Sequence, residues 1–194
     1  DYGAVLEDME ADDLLQSFHG QEVTNDELGH FGVFPAPYDP QEPFNGAINS
    51  DATSASELLD RVSEEAGEDP VVVAYHPLRR DYGYFGIHGF DPEKDTAEKD
   101  GFSFRFDAVE VITGTKMTRG DIVGEKLQTL LYLLENEHLV TATAGSDAHT
   151  LVENVGGYPI NYVWLGDDGE GSEVTTSRLA DAIHGGHVQI STGP

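Results

Sequence analysis

Apolar positions along the chain alternate between helical and strand-like spacings. From Ala4 to Phe18, Val5, Leu6, Met9, Leu14, Leu15 and Phe18 recur at helical intervals with no start signal ahead of them, so the spacing predicts a helix already under way. Two β-like runs follow, at 20–24 and 30–34, and then a loop rich in Pro, Asn and Gly through Asn49. Ser54 with Glu57 three positions later forms a capping-box pattern, opening a helix that turns Leu58, Leu59 and Val62 to the core and ends near Gly67. The unbroken apolar run Val71 to Tyr75 predicts a strand covered on both faces, as in parallel sheets, and it stops at His76-Pro77. Leu78 to Phe104 reads as one long loop, a length that often carries function inside a compact domain. A strand from Phe106 to Ile112 precedes a helix from Asp121 to Glu137, with Ile122, Leu127, Leu130, Leu131 and Leu134 on one stripe. Leu139 to Ala144 is the next strand. A strand at Ile160 to Leu165, an acidic Gly-rich loop, a helix from Thr176 to His184 and a strand from His187 to Ser191 complete the order. Strands alternating with helices predict an α/β sheet or barrel in one domain.

Composition narrows the chemistry more than the fold. The 194 residues include no cysteine, which excludes a disulfide framework, a thiolate nucleophile and a Cys-ligated zinc site, so any metal must sit on His, Asp and Glu. The 37 acidic residues against 10 basic ones give a net charge of −27, the wrong sign for a nucleic-acid surface, which needs Lys and Arg against phosphate. Self-repulsion on that scale costs stability unless salt screens it, with a Debye length of about 3 Å near 1 M. Runs such as Glu7 to Asp13 and Asp167 to Glu170 therefore predict a halophilic protein. No apolar stretch approaches a membrane span and no basic-then-apolar leader opens the sequence, so the expected location is the cytoplasm, with no membrane partner.

Glu22, His76 and Asp147 each fall at or just after the C-terminal end of a predicted strand, the side on which barrel enzymes build their sites. Neutral imidazoles and carboxylates hold the divalent ions that drive hydrolysis, leaving a position for a water whose pKa falls toward ~7. The candidate ligands are Glu22, His30, His76, Asp147 and His149, and the last two, being two apart in extended backbone, can face one pocket. Arg79 and Arg80, just past the His-Pro turn, are candidates for gripping a substrate phosphate or carboxylate. Glu110 is a candidate for orienting a ligand histidine. The other histidines, 19, 88, 138, 184 and 187, have no motif around them and read as structural or exposed.

Gly20-Gln21-Glu22-Val23-Thr24, then Gly29-His30, His76-Pro77, Phe106 to Val111, and Gly145-Ser146-Asp147-Ala148-His149 together resemble the PHP (polymerase and histidinol phosphatase) superfamily. Within it the chain looks like the CehA/McbA-type metallohydrolases, and the closing Ile190 to Pro194 resembles that group as well. The resemblance spans residues 20 to 150. It implies a distorted (β/α)7 barrel of which this chain is the C-terminal part, lacking its first βα units and with them the His-x-His and Thr-Asp-His motifs. It also implies up to three divalent ions (Zn, Mn or Fe), with Glu22 bridging two, His30 and His76 completing the second site, and Asp147 and His149 on the first and third. Of these sites the second keeps all its protein ligands, so this chain is expected to hold one ion, through Glu22, His30 and His76. Glu22 and Asp147 are the expected catalytic carboxylates. The implied activity is metal-assisted hydrolysis of a phosphoester or of a carboxylic or carbamate ester in a small molecule. A degenerate PHP module that binds without turnover is the alternative. An incomplete barrel would expose strand edges, which predicts self-association.

Overall fold

The computed structural model describes residues 2–114, 122–150, 156–166 and 173–193, the side chains at 122 and 123 excepted. In chain order the elements are α1 (Tyr2–Asp8), β1 (Gln21–Asn25), β2 (Gly29–Phe34), α2 (Ala55–Glu65), β3 (Val71–Ala74), α3 (Tyr84–His88), β4 (Ala108–Thr113), α4 (Leu127–Glu135, entered through a π turn at Ile122–Lys126), β5 (Thr141–Gly145), β6 (Ile160–Val163), α5 (Thr176–His184) and β7 (Val188–Ser191). Five strands form one mixed sheet in the order β1-β2-β3-β4-β5, with β1/β2 and β2/β3 antiparallel and β3/β4 and β4/β5 parallel. This is an α/β architecture, and among the described residues the sheet is open. β6 and β7 pair with each other in a separate antiparallel sheet, which the side-chain amide of Asn161 ties to β5 by bonding both the N–H and the C=O of Ala144, at 2.9 and 2.8 Å.

The register sorts the strands' residues onto two faces, because residues directly opposite one another share a face and neighbours along a strand do not. Val23 opposes Phe31, Phe31 opposes Ala74, and Ala74 opposes Val109. That face is buried in one hydrophobic cluster with Leu58, Leu59 and Val62 of α2. Glu22 opposes Gly32, Thr24 opposes His30, Val73 opposes Ala108, and Glu110 opposes Thr143, all on the other face. A β-bulge between Glu110 and Ile112 then shifts the pairing, so that Ile112 opposes Ala144 and Thr113 opposes Gly145. Both Val111 and Ile112 thereby enter the core cluster, and Thr113, three residues after Glu110, returns to the same face as Glu110.

The cap of α2 forms as expected, with the Ser54 hydroxyl accepting from Glu57 N–H at 3.2 Å, but the Glu57 carboxylate reaches one residue further back, to the N–H and hydroxyl of Thr53. Three expectations need correction. The first helix ends at Asp8, not near Phe18: Glu10 has φ 54°, Leu14 and Leu15 are exposed, and the crowded carboxylates from Glu7 to Asp13 repel at helical spacing. The stretch read as one loop from Leu78 to Phe104 contains α3 and supplies core. Tyr84, Phe85, Phe90, Phe102, Phe104 and Phe106 join edge-on and stacked, with Tyr84 fully buried. On α4 the buried side carries Thr129, Leu130 and Leu133, while Leu127, Leu131 and Leu134 lie exposed, so the inward face is set to one side of the predicted stripe. The predicted start at Asp121, the side chain of Ile122, the acidic loop at 167–172 and Pro194 lie outside the described residues. Among the described residues no helix is long and apolar enough to cross a membrane.

Candidate metal centre

β1 and β2 are joined by a short turn, which brings their connection to the same end of the sheet as the C-terminal ends of β3, β4 and β5. His76 follows β3 and Asp147 follows β5, as the sequence predicts. Glu22 is the second residue of β1 and not at its end, so its side chain reaches the site from within the strand. His30 is the second residue of β2, at the end where this antiparallel strand begins.

One donor atom from each of Glu22, His30 and His76 lies within 4.8 Å of the others. His30 Nδ1 stands 2.9 Å from Glu22 Oε1. Donors sharing a tetrahedral ion at ~2.1 Å lie ~3.4 Å apart, so small side-chain rotations close this set around one ion. Two buried atoms test the fit: His30 Nε2 and His76 Nδ1 have no hydrogen-bond partner among the described residues. Buried imidazole nitrogens without partners carry an uncompensated desolvation cost, which metal coordination removes. The group therefore fits a divalent ion, and the two-histidine, one-carboxylate set suits Zn, Mn or Fe.

The backbone is bent to serve these side chains. His76 has φ 29° and Asp147 φ 46°, both in the left-handed region that non-glycine residues occupy at a cost. Beneath them lies Glu110, only 5% exposed, whose Oε2 accepts from His76 N–H at 2.7 Å and from the Thr113 hydroxyl at 3.1 Å. Glu110 also lies so close over Gly145 that a Cβ at that glycine would overlap its Oε1. A single carboxyl thus braces the two backbone segments that present His76 and Asp147. Burial pushes its pKa up to about 7, the Asp147 charge adding to the rise, while the two hydrogen bonds and Lys126 oppose it. For His76, burial and then the neighbouring His30 lower the pKa, against the pull of Asp147 and Glu22, and so favour the neutral imidazole that metals bind.

A cleft of about 310 Å³ is lined by Glu22, Thr24, Asp26, His30, His76, Tyr82, Asp147 and His149, which gathers all five ligands expected from sequence. Asp147 and His149 line it as a self-engaged pair: His149 Nδ1 bonds the Asp147 carbonyl oxygen at 2.9 Å, and that bond first, then the Asp147 charge, raises the pKa of this exposed histidine. Arg79 and Arg80 are exposed and neither lines the cleft. Arg80 lines an adjoining groove with Lys99, and Asp26 borders both cavities. No protein-family model, curated protein or solved structure matches this chain significantly.

Three cleft residues were not picked out from the sequence. Thr24 was within reach, since it stands two positions from Glu22 in a strand and so shares its face. Asp26, whose Oδ1 is 3.7 Å from His30 Nε2, and Tyr82 sit in turns, where side-chain direction has no period to read. The histidines without motifs lie away from the cleft: His138 bonds Asp95 at 2.9 Å and stacks on Phe104, His184 sits near Asp69 and Asp107, His19 stacks on Tyr38, His187 meets Trp164 edge-on, and His88 is buried against Tyr84 and Phe102.

Proposed function

We propose that the chain is a metal-dependent hydrolase of the PHP type, its open sheet a section of a distorted (β/α)7 barrel, and that it holds one divalent ion through Glu22, His30 and His76. The observation that carries the reading is that Glu22, His30 and His76 bring one donor atom each within 4.8 Å of one another in a solvent-reaching cleft, with His30 Nε2 and His76 Nδ1 buried and unbonded among the described residues. A divalent ion there supplies Lewis acidity and lowers the pKa of a coordinated water toward ~7.

The chain's own residues do the remaining work. Glu22, His30 and His76 orient the ion, with Glu110 fixing the His76 backbone from below. Asp147 lines the same cleft, and in this reading Glu22 and Asp147 are the carboxylates that would take the proton the attacking water gives up. Hydrolysis then forms a bond from the water oxygen to a phosphorus or acyl carbon and breaks the ester bond, the leaving oxygen collecting a proton. Among the described residues the cleft walls carry Glu22, Asp26 and Asp147 and no arginine or lysine, a balance that favours a carboxylic or carbamate ester, or a singly charged phosphodiester, over a highly phosphorylated substrate.

Metal analysis after loading with zinc, manganese or iron(II) and desalting tests the reading. One tightly held ion per chain is expected, lost in His76→Ala. No retained ion, or equal loading in the variant, overturns it. Assays with a bis-aryl phosphodiester and an aryl carbamate then test turnover. An ion bound with neither cleaved favours a module that binds without catalysis.

A further inference from the structure

Tyr82 is the one phenol among the described residues that line the cleft, and its setting is more constrained than a position in a turn suggests. Its ring stacks on His30, with centroids 5.3 Å apart at 29°, and meets His76 edge-on, at 5.0 Å and 80°. It therefore sits against both imidazoles that hold the candidate ion. Its backbone is pinned on each side. On one side Gly83 N–H bonds Arg79 C=O at 2.8 Å, and a Cβ on Gly83 would stand 2.5 Å from the His76 carbonyl oxygen, so the turn is closed tightly on the His76 segment. On the other, Tyr84 is fully buried, its hydroxyl donating to Ser103 C=O at 2.9 Å and accepting from Ser103 N–H at 2.7 Å. The Tyr82 hydroxyl makes no hydrogen bond among the described residues. A phenol held by its ring and its neighbours, with its donor uncommitted, is organised before any ligand arrives. That is the condition under which a single donor aimed at developing negative charge is worth most.

We propose that Tyr82 is a catalytic residue that donates its hydroxyl hydrogen bond to an oxyanion of the substrate in the cleft. The role rests on the hydrolase reading for its catalytic part, while its oxyanion-binding part stands apart from turnover. Among the described residues no other neutral side-chain donor in the cleft touches both histidines, and the hydroxyl of Thr24, which also lines it, is exposed on the strand. Ligands with a tetrahedral oxyanion, from orthophosphate to the tetrahedral stage of ester cleavage, are the class that such a donor recognises.

Tyr82→Phe keeps the ring and removes only the donor, and Tyr82→Leu removes the stacking as well. Titration calorimetry of the zinc-loaded protein with inorganic phosphate reads the donor without turnover. Phosphate binding about 5- to 10-fold weaker in Tyr82→Phe is expected, the loss of one hydrogen bond, with zinc content and melting temperature unchanged. On any ester the wild type cleaves, kcat is expected to fall about 100-fold with KM little moved, the signature of a contact made chiefly in the transition state. Equal phosphate affinity in wild type and Tyr82→Phe overturns the proposal, and so does a wild type that binds no phosphate. Zinc loss as large in Tyr82→Phe as in Tyr82→Leu also overturns it, since the hydroxyl would then serve the ion and not the ligand. Phosphate binding that depends on the hydroxyl in a protein that cleaves no ester supports the donor role and removes the hydrolase reading.

Discussion

On one face of the five-stranded sheet Val23, Phe31, Val33, Val72, Ala74 and Val109 are closed off from water. On the other, supplied by the same strands one residue out of step, stand Glu22, Thr24, His30 and Glu110. The period of two lets adjacent residues serve separate ends, so that Phe31 packs in the core while His30 beside it lines the cleft. The difference is also one of strain and access. Both sides keep buried imidazole nitrogens without partners among the described residues, at His88 in the apolar cluster and at His30 and His76 on the polar face, but only the latter two line a cleft, and there the backbone is strained at His76, next to the strand end. Burying polar groups that lack partners costs stability, so the second face is stabilised by a ligand or by the first face.

The largest expected effect breaks the comparison at two neighbouring residues. Phe31→Ala removes a ring with no exposed surface, packed 4.9 Å from Tyr84, and is expected to cost about 3–5 kcal/mol in urea unfolding of the metal-free protein. His30→Ala, one residue away, is expected to change that stability by no more than about 1 kcal/mol while abolishing metal binding. Comparable losses of stability in the two variants would mean that the faces are not separate in function.

Next in size is the pH dependence that the buried carboxyl imposes. Glu110 titrates at about 7 in the folded chain against an ordinary 4.5, a gap worth about 3 kcal/mol. The folded state holds a proton that the unfolded state has released between those two values, so stability falls as pH rises through that window and stays low above it. His76, with its lowered pKa, slopes the other way below its ordinary 6.5, but it does so equally in a Glu110→Gln variant. Urea unfolding in EDTA at pH 5 and pH 8 should therefore show wild type losing up to about 3 kcal/mol relative to Glu110→Gln over this range. Parallel profiles would show that Glu110 is ionised without penalty.

The apolar face was far more legible in the sequence than the polar one. Leu58, Leu59 and Val62 follow a capping pattern and an amphipathic spacing, and Val71 to Val73 form an unbroken apolar run, so a local period announces each. The candidate ligands stand out by residue type and motif, and four of the five sit at or near the ends of strands that meet at one end of the sheet. Tyr82 and Asp26 were not legible, because a turn side chain's direction depends on what the rest of the fold packs against it. The aromatic wall built by α3 was missed for a related reason. A helix of five residues shows barely one turn of periodicity, and its Gly and aromatic content resembles a loop until Tyr84 and Phe85 find partners at Phe102 and Phe106. On α4 leucines stand on more than one side of the helix, at 127, 130, 131, 133 and 134, so spacing alone does not say that Leu130 and Leu133 are the buried ones.

The smallest effect tests how the bulge connects the two faces. Under strict alternation Thr113 would point away from Glu110; the shift between Glu110 and Ile112 sends Val111 and Ile112 into the core and turns the Thr113 hydroxyl back to the carboxyl. Thr113→Val keeps the shape and removes that donor, at an expected cost of about 1 kcal/mol. Because the lost bond is one of those that hold the Glu110 pKa down, the same variant should move the pH-dependent fall in stability to higher pH. In Glu110→Gln, where no carboxylate forms, the Thr113→Val change should leave the pH profile alone. A double-mutant cycle at pH 5 and pH 8 separates these outcomes. If Thr113→Val moves the profile equally with and without Glu110, then the hydroxyl acts through some other group and the bulge serves only the core.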